Sequence, residues 1–234
     1  IPWTMSVHIN TQQFEKNQQK YEDLIFEGEH LGIYTWMLFA LDQPEKTFSM
    51  VKNHPDSAFC IFCDVKDMPL TFLEKVTQLK NLMIIVRYNE NAADICAELR
   101  AKKLFYSVWY QYGQKDTESI INGNLFRDVQ QLSPVFTVLI PENKCPEEVR
   151  QAIYSTVKRT RLDQSYSTIA WDFQGDNYLV DTIISGDACS VNFNKDGNLC
   201  DLEKTFENGH HNLFKSSIIN ILLNTFPKTK SELL

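Results

Sequence analysis

The sequence predicts an α/β fold, a parallel (βα) barrel that is complete or partial. Apolar runs that are too hydrophobic for half-exposed strands alternate with segments of helix length, which is typical of parallel strands joined by crossover helices. Seven candidate strands of this kind fall within residues 1–175. No Gly-rich turn of the dinucleotide-binding type is present, so a barrel is favoured over a doubly wound sheet.

Each predicted element rests on a local signal. Gly32 closes the first helix as a C-cap, and the continuously apolar run 33–40 predicts a strand buried on both faces. Pro146 stands in the first turn of a later helix. The predicted strands are 3–9, 33–40, 58–65, 82–88, 104–110, 135–140 and 167–173, and the predicted helices are 12–30, 44–53, 70–79, 91–102 and 146–160.

The C-terminal part has a different pattern and is predicted to form an extension, residues 176–234, that packs on a barrel of residues 1–175. Segments 178–185 and 189–193 alternate in hydrophobicity as antiparallel strands do. The Asn-Lys-Asp-Gly sequence at 194–197 predicts a hairpin turn. A closing helix is indicated by the apolar residues Leu213, Phe214, Ile218, Ile221 and Leu222.

Charge and cysteine usage argue against several classes of partner. With 23 Lys+Arg, 30 Asp+Glu and a formal net charge of −7, the chain has no excess of basic residues for nucleic acid or an anionic membrane. No apolar stretch reaches the roughly 18 residues of a membrane span, and no signal-peptide pattern begins the sequence. Six scattered cysteines indicate reduced thiols and a cytoplasmic protein. Because residue 1 is Ile rather than Met, native sequence upstream of it is left open.

Two cysteine patterns are weak candidates for metal ligands. Cys60 and Cys63 have CxxC spacing, but a structural role is predicted because they lie in an apolar strand, where residues i and i+3 face opposite sides. Cys189 and Cys200, even with the histidine pair at 210–211, are too loosely spaced for a typical zinc site. The GxSxG, HExxH and Walker signatures are absent from the sequence.

The candidate site is predicted from position, at the carboxyl ends of the strands, where barrel enzymes carry their chemistry. Asp64 and Asp172 end two apolar strands and are catalytic candidates together with Arg87. Paired carboxylates serve as acid and base or hold a metal only when they lie close together, and the sequence does not give their separation. The predicted ligand-binding residues are Asn10, Asp42, Tyr88, Glu90, Gln111, Tyr112 and Glu142.

The order of these patterns resembles the radical S-adenosylmethionine (radical SAM) superfamily barrel, particularly its peptide- and lipid-modifying branches. In that family a first strand leads into a CxxxCxxC loop, a long helix that ends in Gly, and a second strand that ends in GGEP. Here the strand 1–9, the helix that ends at Gly32 and the run 33–44 follow the same order, and only the Pro of GGEP is kept. The segment 159–197 resembles the family's last barrel strand and hairpin, and Cys200 stands near its terminal cysteine.

The resemblance lacks its diagnostic motif, because residues 10–17 contain no cysteine. In the family, three thiolates of that loop hold an iron–sulfur cluster whose open iron binds S-adenosylmethionine. We therefore predict a radical-SAM-like barrel that has lost the cluster and needs no cofactor. Its predicted role is non-catalytic, as a binding or accessory protein for a peptide or small ligand, with a partner enzyme as a further expectation.

Enzyme activity is nevertheless left open, and two active alternatives stand beside this prediction. One is an iron–sulfur, S-adenosylmethionine-dependent enzyme with atypical ligands, and the other is a hydrolase or lyase that uses the strand-end residues Asp64, Asp172 and Arg87. The ligands of the first alternative would come from Cys60, Cys63, Cys189 and Cys200. A third interpretation is a structural subunit with an aromatic interface near Trp109, although core packing is favoured for that residue. Unrelated barrels share this layout, so fold-level analogy without kinship is also compatible with it.

Overall fold

The structure is a computed structural model that describes residues 1–186, 191–200 and 205–226. The strands are β1 (Thr4–His8), β2 (Thr35–Phe39), β3 (Ala58–Cys63), β4 (Leu82–Arg87), β5 (Tyr106–Tyr112), β6 (Phe136–Pro141), β7 (Ile169–Asp172), β8 (Val191–Phe193) and β9 (Leu199–Cys200). The helices are α1 (Phe14–His30), α2 (Phe48–Asn53), α3 (Leu70–Val76), α4 (Ala92–Ala101), α5 (Thr117–Ile121), α6 (Asn124–Val129), α7 (Glu147–Thr160), α8 (Phe173–Ser185) and α9 (Ile218–Thr225). Within these ranges no helix combines the length and hydrophobicity needed to cross a membrane.

Consecutive strands pair in parallel, with helices between them. β1 pairs with β2, and β4, β5, β6 and β7 form a parallel series in chain order. A parallel pair requires a crossover connection that returns the chain to the start of the next strand, and the helices provide it. The predicted α/β fold of parallel (βα) units is confirmed.

The chain divides into two compact units. The first unit comprises residues 1–61 and 78–82 with the described residues of 178–234. It contains the strands β2-β1-β8-β9 in that order and residues 58–61 of β3, whose last two residues belong to the second unit. The second unit comprises residues 62–77 and 83–177, and its strand order is β7-β6-β5-β4. The expected division into a barrel (1–175) and a packed extension (176–234) stays a prediction.

A hydrophobic core stabilises the first unit. Met5 and Val7 of β1 are buried in it, together with Tyr21 and Ile25 of α1. Burial of an apolar side chain of this size contributes roughly 1.5–3 kcal/mol. Because successive side chains of a strand point to opposite faces, His8 of β1 lies on the face away from this core.

One side-chain amide fixes the loop between α2 and β3. Asn81 Nδ2 donates hydrogen bonds to the carbonyl oxygens of His54 and Ser57 at 3.0 and 2.9 Å, and shares a hydrogen with the carbonyl oxygen of Val51, at the end of α2, at 3.3 Å. Carbonyl groups in a loop require such partners when no ladder or helix supplies them. The loop backbone is therefore satisfied by a residue that lies outside the loop.

Strand register sorts the side chains of the second unit onto two faces. Arg87 of β4 is in register with Trp109 of β5. Tyr110 of β5 is in register with Leu139 of β6, which in turn is in register with Asp172 of β7. Since neighbours along a strand point to opposite faces, Arg87 and Trp109 share one face, and Tyr110 and Asp172 share the other.

The prediction of a strand at 178–185 is wrong, because these residues belong to α8. Asp172 begins that helix: its carboxylate accepts a hydrogen bond from the Gly175 amide at 2.6 Å, and its own amide donates to the Asp176 carboxylate at 2.7 Å. Bonds of this kind satisfy the amide groups of a first helical turn. Apolar side chains on the solvent side of α8, such as Ile183 at 72% exposure, produce the pattern that resembles a strand.

The predicted hairpin turn at 194–197 is confirmed, since β8 and β9 on either side of it are antiparallel. Gly197 has a φ of +78°, which glycine adopts at little steric cost. β8 also pairs in parallel with β1, a pairing that the alternation of residues 189–193 does not reveal. The structure describes this predicted strand from Val191 onward, so Cys189 lies outside the described residues.

Two short helices occupy a connection in which the sequence shows no regular pattern. α5 and α6 lie between β5 and β6, and each is too short for helical periodicity to be recognised. The predicted closing helix is present as α9. It begins at Ile218, so Leu213 and Phe214 precede it.

Candidate functional site

The structure brings Asp64 and Arg87 together at the carboxyl ends of β3 and β4. Arg87 Nη1 donates to Asp64 Oδ2 at 2.6 Å, and Asn89 Nδ2 donates to Asp64 Oδ1 at 3.1 Å. The Arg87 side chain is 40% exposed and that of Asp64 is 29% exposed. Within the described part of the chain, Arg87 Nε and Nη2 have no hydrogen-bond acceptor. The guanidinium is therefore oriented by one acid and keeps donors for a ligand.

Trp109 forms the base of this group. The Arg87 guanidinium carbon lies 5.2 Å from the centre of the indole ring, within the range of a cation–π interaction. The indole nitrogen donates to the carbonyl oxygen of Cys63 at 3.0 Å, and the Phe62 ring packs edge-on against the indole at 6.4 Å. The side chain is 4% exposed, so core packing is confirmed for Trp109.

Asp172 lies on the opposite face of the sheet from Arg87 and Trp109. None of the contacts described for it involves Asp64, and a catalytic role for either acid stays a prediction. The Tyr112 hydroxyl donates to Asp172 Oδ2 at 3.3 Å, and both side chains are buried. Burial raises the pKa of Asp172 to about 6, with the nearby Asp176 carboxylate adding to the effect. Burial also raises the pKa of Tyr112. Asp172 also caps the first turn of α8, through the hydrogen bond from the Gly175 amide.

The remaining candidates of the second unit lie along the ends of β4, β5 and β6. Tyr88 packs against Tyr110 at 6.3 Å between ring centres, on the face that carries Asp172. Glu90 is exposed and Gln111 is half-buried. Glu142 is exposed, and its amide donates to the Tyr112 carbonyl at 2.8 Å. None of the contacts described for these residues involves Arg87, and their role in ligand binding stays a prediction.

A second acid on this face belongs to the turn that follows β5. Asp116 accepts the Tyr110 hydroxyl at 2.8 Å and the Gly113 amide at 2.8 Å. Burial, followed by the hydrogen bond and the charge of Asp116, raises the pKa of Tyr110 to about 12. Tyr110 is therefore neutral at physiological pH, and the arrangement stabilises the turn.

In the first unit, Asn10 and Asp42 take part in the turn between β1 and α1. Asn10 Oδ1 accepts the Gln13 amide at 3.2 Å, and the Thr11 hydroxyl lies 2.9 and 3.0 Å from the two Asp42 oxygens. Lys46 Nζ donates to the Thr11 carbonyl oxygen at 2.7 Å. These contacts define a closed, hydrogen-bonded turn.

Two residues with a bearing on binding are missing from the sequence-based set. Asn89 is one, because its contact with Asp64 depends on the loop after β4. His8 is the other, at the end of β1, where its ring stacks on Phe39 with 4.4 Å between centres and 8° between planes. Strand alternation would have found His8, since Met5 and Val7 are core-facing and the residue after Val7 must face the other way.

The residues present do not fit an iron–sulfur cluster held by three thiolates. The turn that follows β1 offers amide and hydroxyl groups instead of thiols. Burial raises the pKa of Cys60 to about 11 and also raises that of Cys63, so both thiols are neutral. Cys200 Sγ contacts the Asn198 carbonyl oxygen at 3.4 Å. Across the described ranges, no three His, Cys, Asp or Glu side chains are grouped as metal ligands.

Comparisons with known proteins identify the fold. No protein-family model matches the chain, and no curated protein matches it. Among solved structures, Streptococcus suis SuiB bound to S-adenosylmethionine has a TM-score of 0.69 at 8% identity over 94% of this chain. SuiB bound to the precursor peptide SuiA has a TM-score of 0.68 at 7% identity, also over 94% of this chain. A third structure, anSMEcpe with bound AdoMet, has a TM-score of 0.57 at 8% identity over 98% of this chain and 79% of that chain.

These similarities confirm a partial α/β barrel as the fold class. The chain spans 63% and 64% of the two SuiB chains, so the SuiB structures contain parts that it does not match. At identities of 7–8%, the similarity concerns the fold and not the chemistry.

Proposed function

We propose that this chain is a radical-SAM-like protein that binds a peptide or small ligand in a non-catalytic role. As an accessory protein it presents this ligand to a partner enzyme. The observation that carries the proposal is the group formed by Asp64, Arg87 and Trp109. A half-exposed guanidinium with unused donors, stacked on an indole at the carboxyl end of a strand, is suited to a ligand carboxylate. Asp64 orients the guanidinium before the ligand arrives, which lowers the entropy cost of binding.

Two further observations support this proposal. The turn after β1 is closed by hydrogen bonds among polar side chains and offers no thiolate for a cluster. SuiB, which has a similar fold, is known in complex with a precursor peptide. A peptide is therefore the first class of ligand to test.

The proposal places the protein in the cytoplasm, away from membranes and nucleic acids. The five described cysteines are all free thiols, as expected for a reducing compartment. The formal net charge of −7 disfavours phosphate-rich partners.

Selection from a displayed library of random peptides tests the binding role. We expect enriched peptides to carry an acidic group and to lose about tenfold or more in affinity for Arg87→Met, because a hydrogen bond to a charged group is lost. Arg159→Met is the matched control, since Arg159 is exposed and donates to a backbone carbonyl, that of Ile121. Failure to enrich any peptide, or equal affinity in Arg87→Met, contradicts the proposal.

Iron and acid-labile sulfide analysis after anaerobic reconstitution tests the non-catalytic part of the proposal. We expect colourless protein without stoichiometric iron. About four irons per chain, the content of a [4Fe–4S] cluster, would instead support an iron–sulfur, S-adenosylmethionine-dependent enzyme with atypical cysteine ligands. The hydrolase or lyase alternative loses support from the separation of Asp64 and Asp172 onto opposite faces.

A further inference from the structure

His8 is an imidazole without a hydrogen-bond partner in the described part of the chain. The contacts that the structure gives it are the stacking on Phe39, at 4.4 Å, and the charge of Lys195. The ring nitrogens of His8 are not among the buried side-chain atoms without a partner in the described residues, so they keep access to solvent and can bind a ligand. Among the described residues, none forms a hydrogen bond with either nitrogen.

The position of His8 is that of a ligand contact. It is the last residue of β1, and parallel α/β sheets carry their ligands at the carboxyl ends of the strands. Its side chain faces away from the hydrophobic core that contains Met5 and Val7. The nearly parallel Phe39 ring, 8° from the imidazole plane, restricts the plane in which the ring N–H lies.

The local charge favours an anion. Val7 of β1 is in register with Phe193 of β8, so Lys195, two residues after Phe193, lies just beyond the end of β1. Its positive charge also acts on the His8 pKa. Burial and this positive charge lower the pKa of His8 to about 4, so the ring is neutral at physiological pH. A neutral imidazole donates one hydrogen bond while Lys195 supplies the charge.

We propose that His8 and Lys195 form a binding site for a small carboxylate at the ends of β1 and β8. One carboxylate oxygen accepts the His8 N–H, and Lys195 provides the charge complement. The site lies wholly within the first unit and does not depend on Arg87. A failure of the peptide-binding proposal therefore leaves it standing, and the reverse is also true.

The experiment is a ¹H–¹⁵N NMR titration of the imidazole groups in the full chain, with acetate, lactate and benzoate as probes and acetamide as the uncharged comparison. We expect the His8 resonances to move with the carboxylates and not with acetamide. The His8 pKa should also rise in the complex, because a nearby anion favours the imidazolium. Resonances that stay unmoved at about 10 mM of every carboxylate, enough to occupy most of a millimolar site, overturn the proposal.

Two variants separate a binding role from a structural one. His8→Phe keeps an aromatic ring against Phe39 and removes the donor, and we expect about tenfold weaker carboxylate binding with folding retained. His30→Phe is the matched control, because His30 is exposed at the end of α1. A second measurement covers the case in which His8→Phe does not fold: Lys195→Gln, at an exposed turn residue, must then weaken binding. Unchanged binding in a folded His8→Phe or in Lys195→Gln contradicts the inference.

Discussion

Asp64 and Asp172 have the same place in the sequence pattern, as the acid that ends an apolar strand, and the fold gives them different environments. Asp64 remains 29% exposed and holds Arg87 over Trp109. Asp172 is 3% exposed and accepts hydrogen bonds from Tyr112 and the Gly175 amide. Strand register determines the face of the sheet on which each side chain lies. The Asp64 side chain is therefore partly exposed to solvent, whereas that of Asp172 packs at the start of α8.

The largest difference between the two acids should appear in the pH dependence of stability. Asp172 has its pKa raised from 3.8 to about 6, so the folded state holds this proton more tightly than the unfolded state. Stability is then fully present below pH 3.8 and is lost as the pH rises through about 6. Asp172 therefore contributes about 3 kcal/mol less to the free energy of unfolding above pH 6 than below pH 3.8.

Asp172→Asn keeps an N-cap acceptor and removes the charge. We expect its unfolding free energy to match the wild type near pH 4 and to exceed it by up to about 3 kcal/mol above pH 6. Urea denaturation across this pH range measures the difference. If the unfolding free energies of Asp172→Asn and the wild type differed by the same amount at every pH, burial would not raise the pKa of Asp172.

The second effect concerns the indole beneath Arg87. Trp109→Phe removes the hydrogen bond to the Cys63 carbonyl oxygen, leaves that buried acceptor unpaired, and opens a small cavity. We expect a loss of about 2 kcal/mol in unfolding free energy. Trp171→Phe serves as the control, since Trp171 is only half-buried. An equal loss in both variants would mean that the hydrogen bond to Cys63 contributes nothing.

The smallest effect should come from Asp64 itself. Its ion pair with Arg87 is partly exposed, and such pairs contribute less than about 1 kcal/mol. Asp64→Asn should therefore unfold at nearly the wild-type urea concentration while weakening peptide binding, because Arg87 is no longer oriented. A stability loss as large as that of Trp109→Phe would make Asp64 a structural residue.

The strands of the fold were predictable because a short, continuously apolar run such as 33–40 indicates a buried strand without information from the rest of the chain. The site was predictable only in part. Asp64 and Arg87 were named as candidates, but their contact, and the separation of Asp172 from both, depends on strand register, which one sequence does not contain. The strand predicted at 178–185 was wrong because α8 exposes apolar side chains, and a helix with an apolar solvent side does not show the usual amphipathic period.

The conformation of the loop between α2 and β3 depends on a side chain outside that loop, Asn81. Three carbonyl groups at the end of α2 and in the following loop depend on this one amide, and backbone carbonyls are present whatever side chains the loop carries. Exposed loop positions such as Pro55 and Asp56 are therefore free to drift over evolutionary time, whereas position 81 is not. If every position of this region is substituted in turn, we expect the least tolerant position to be Asn81, between β3 and β4. It lies outside the loop that its side chain holds in place.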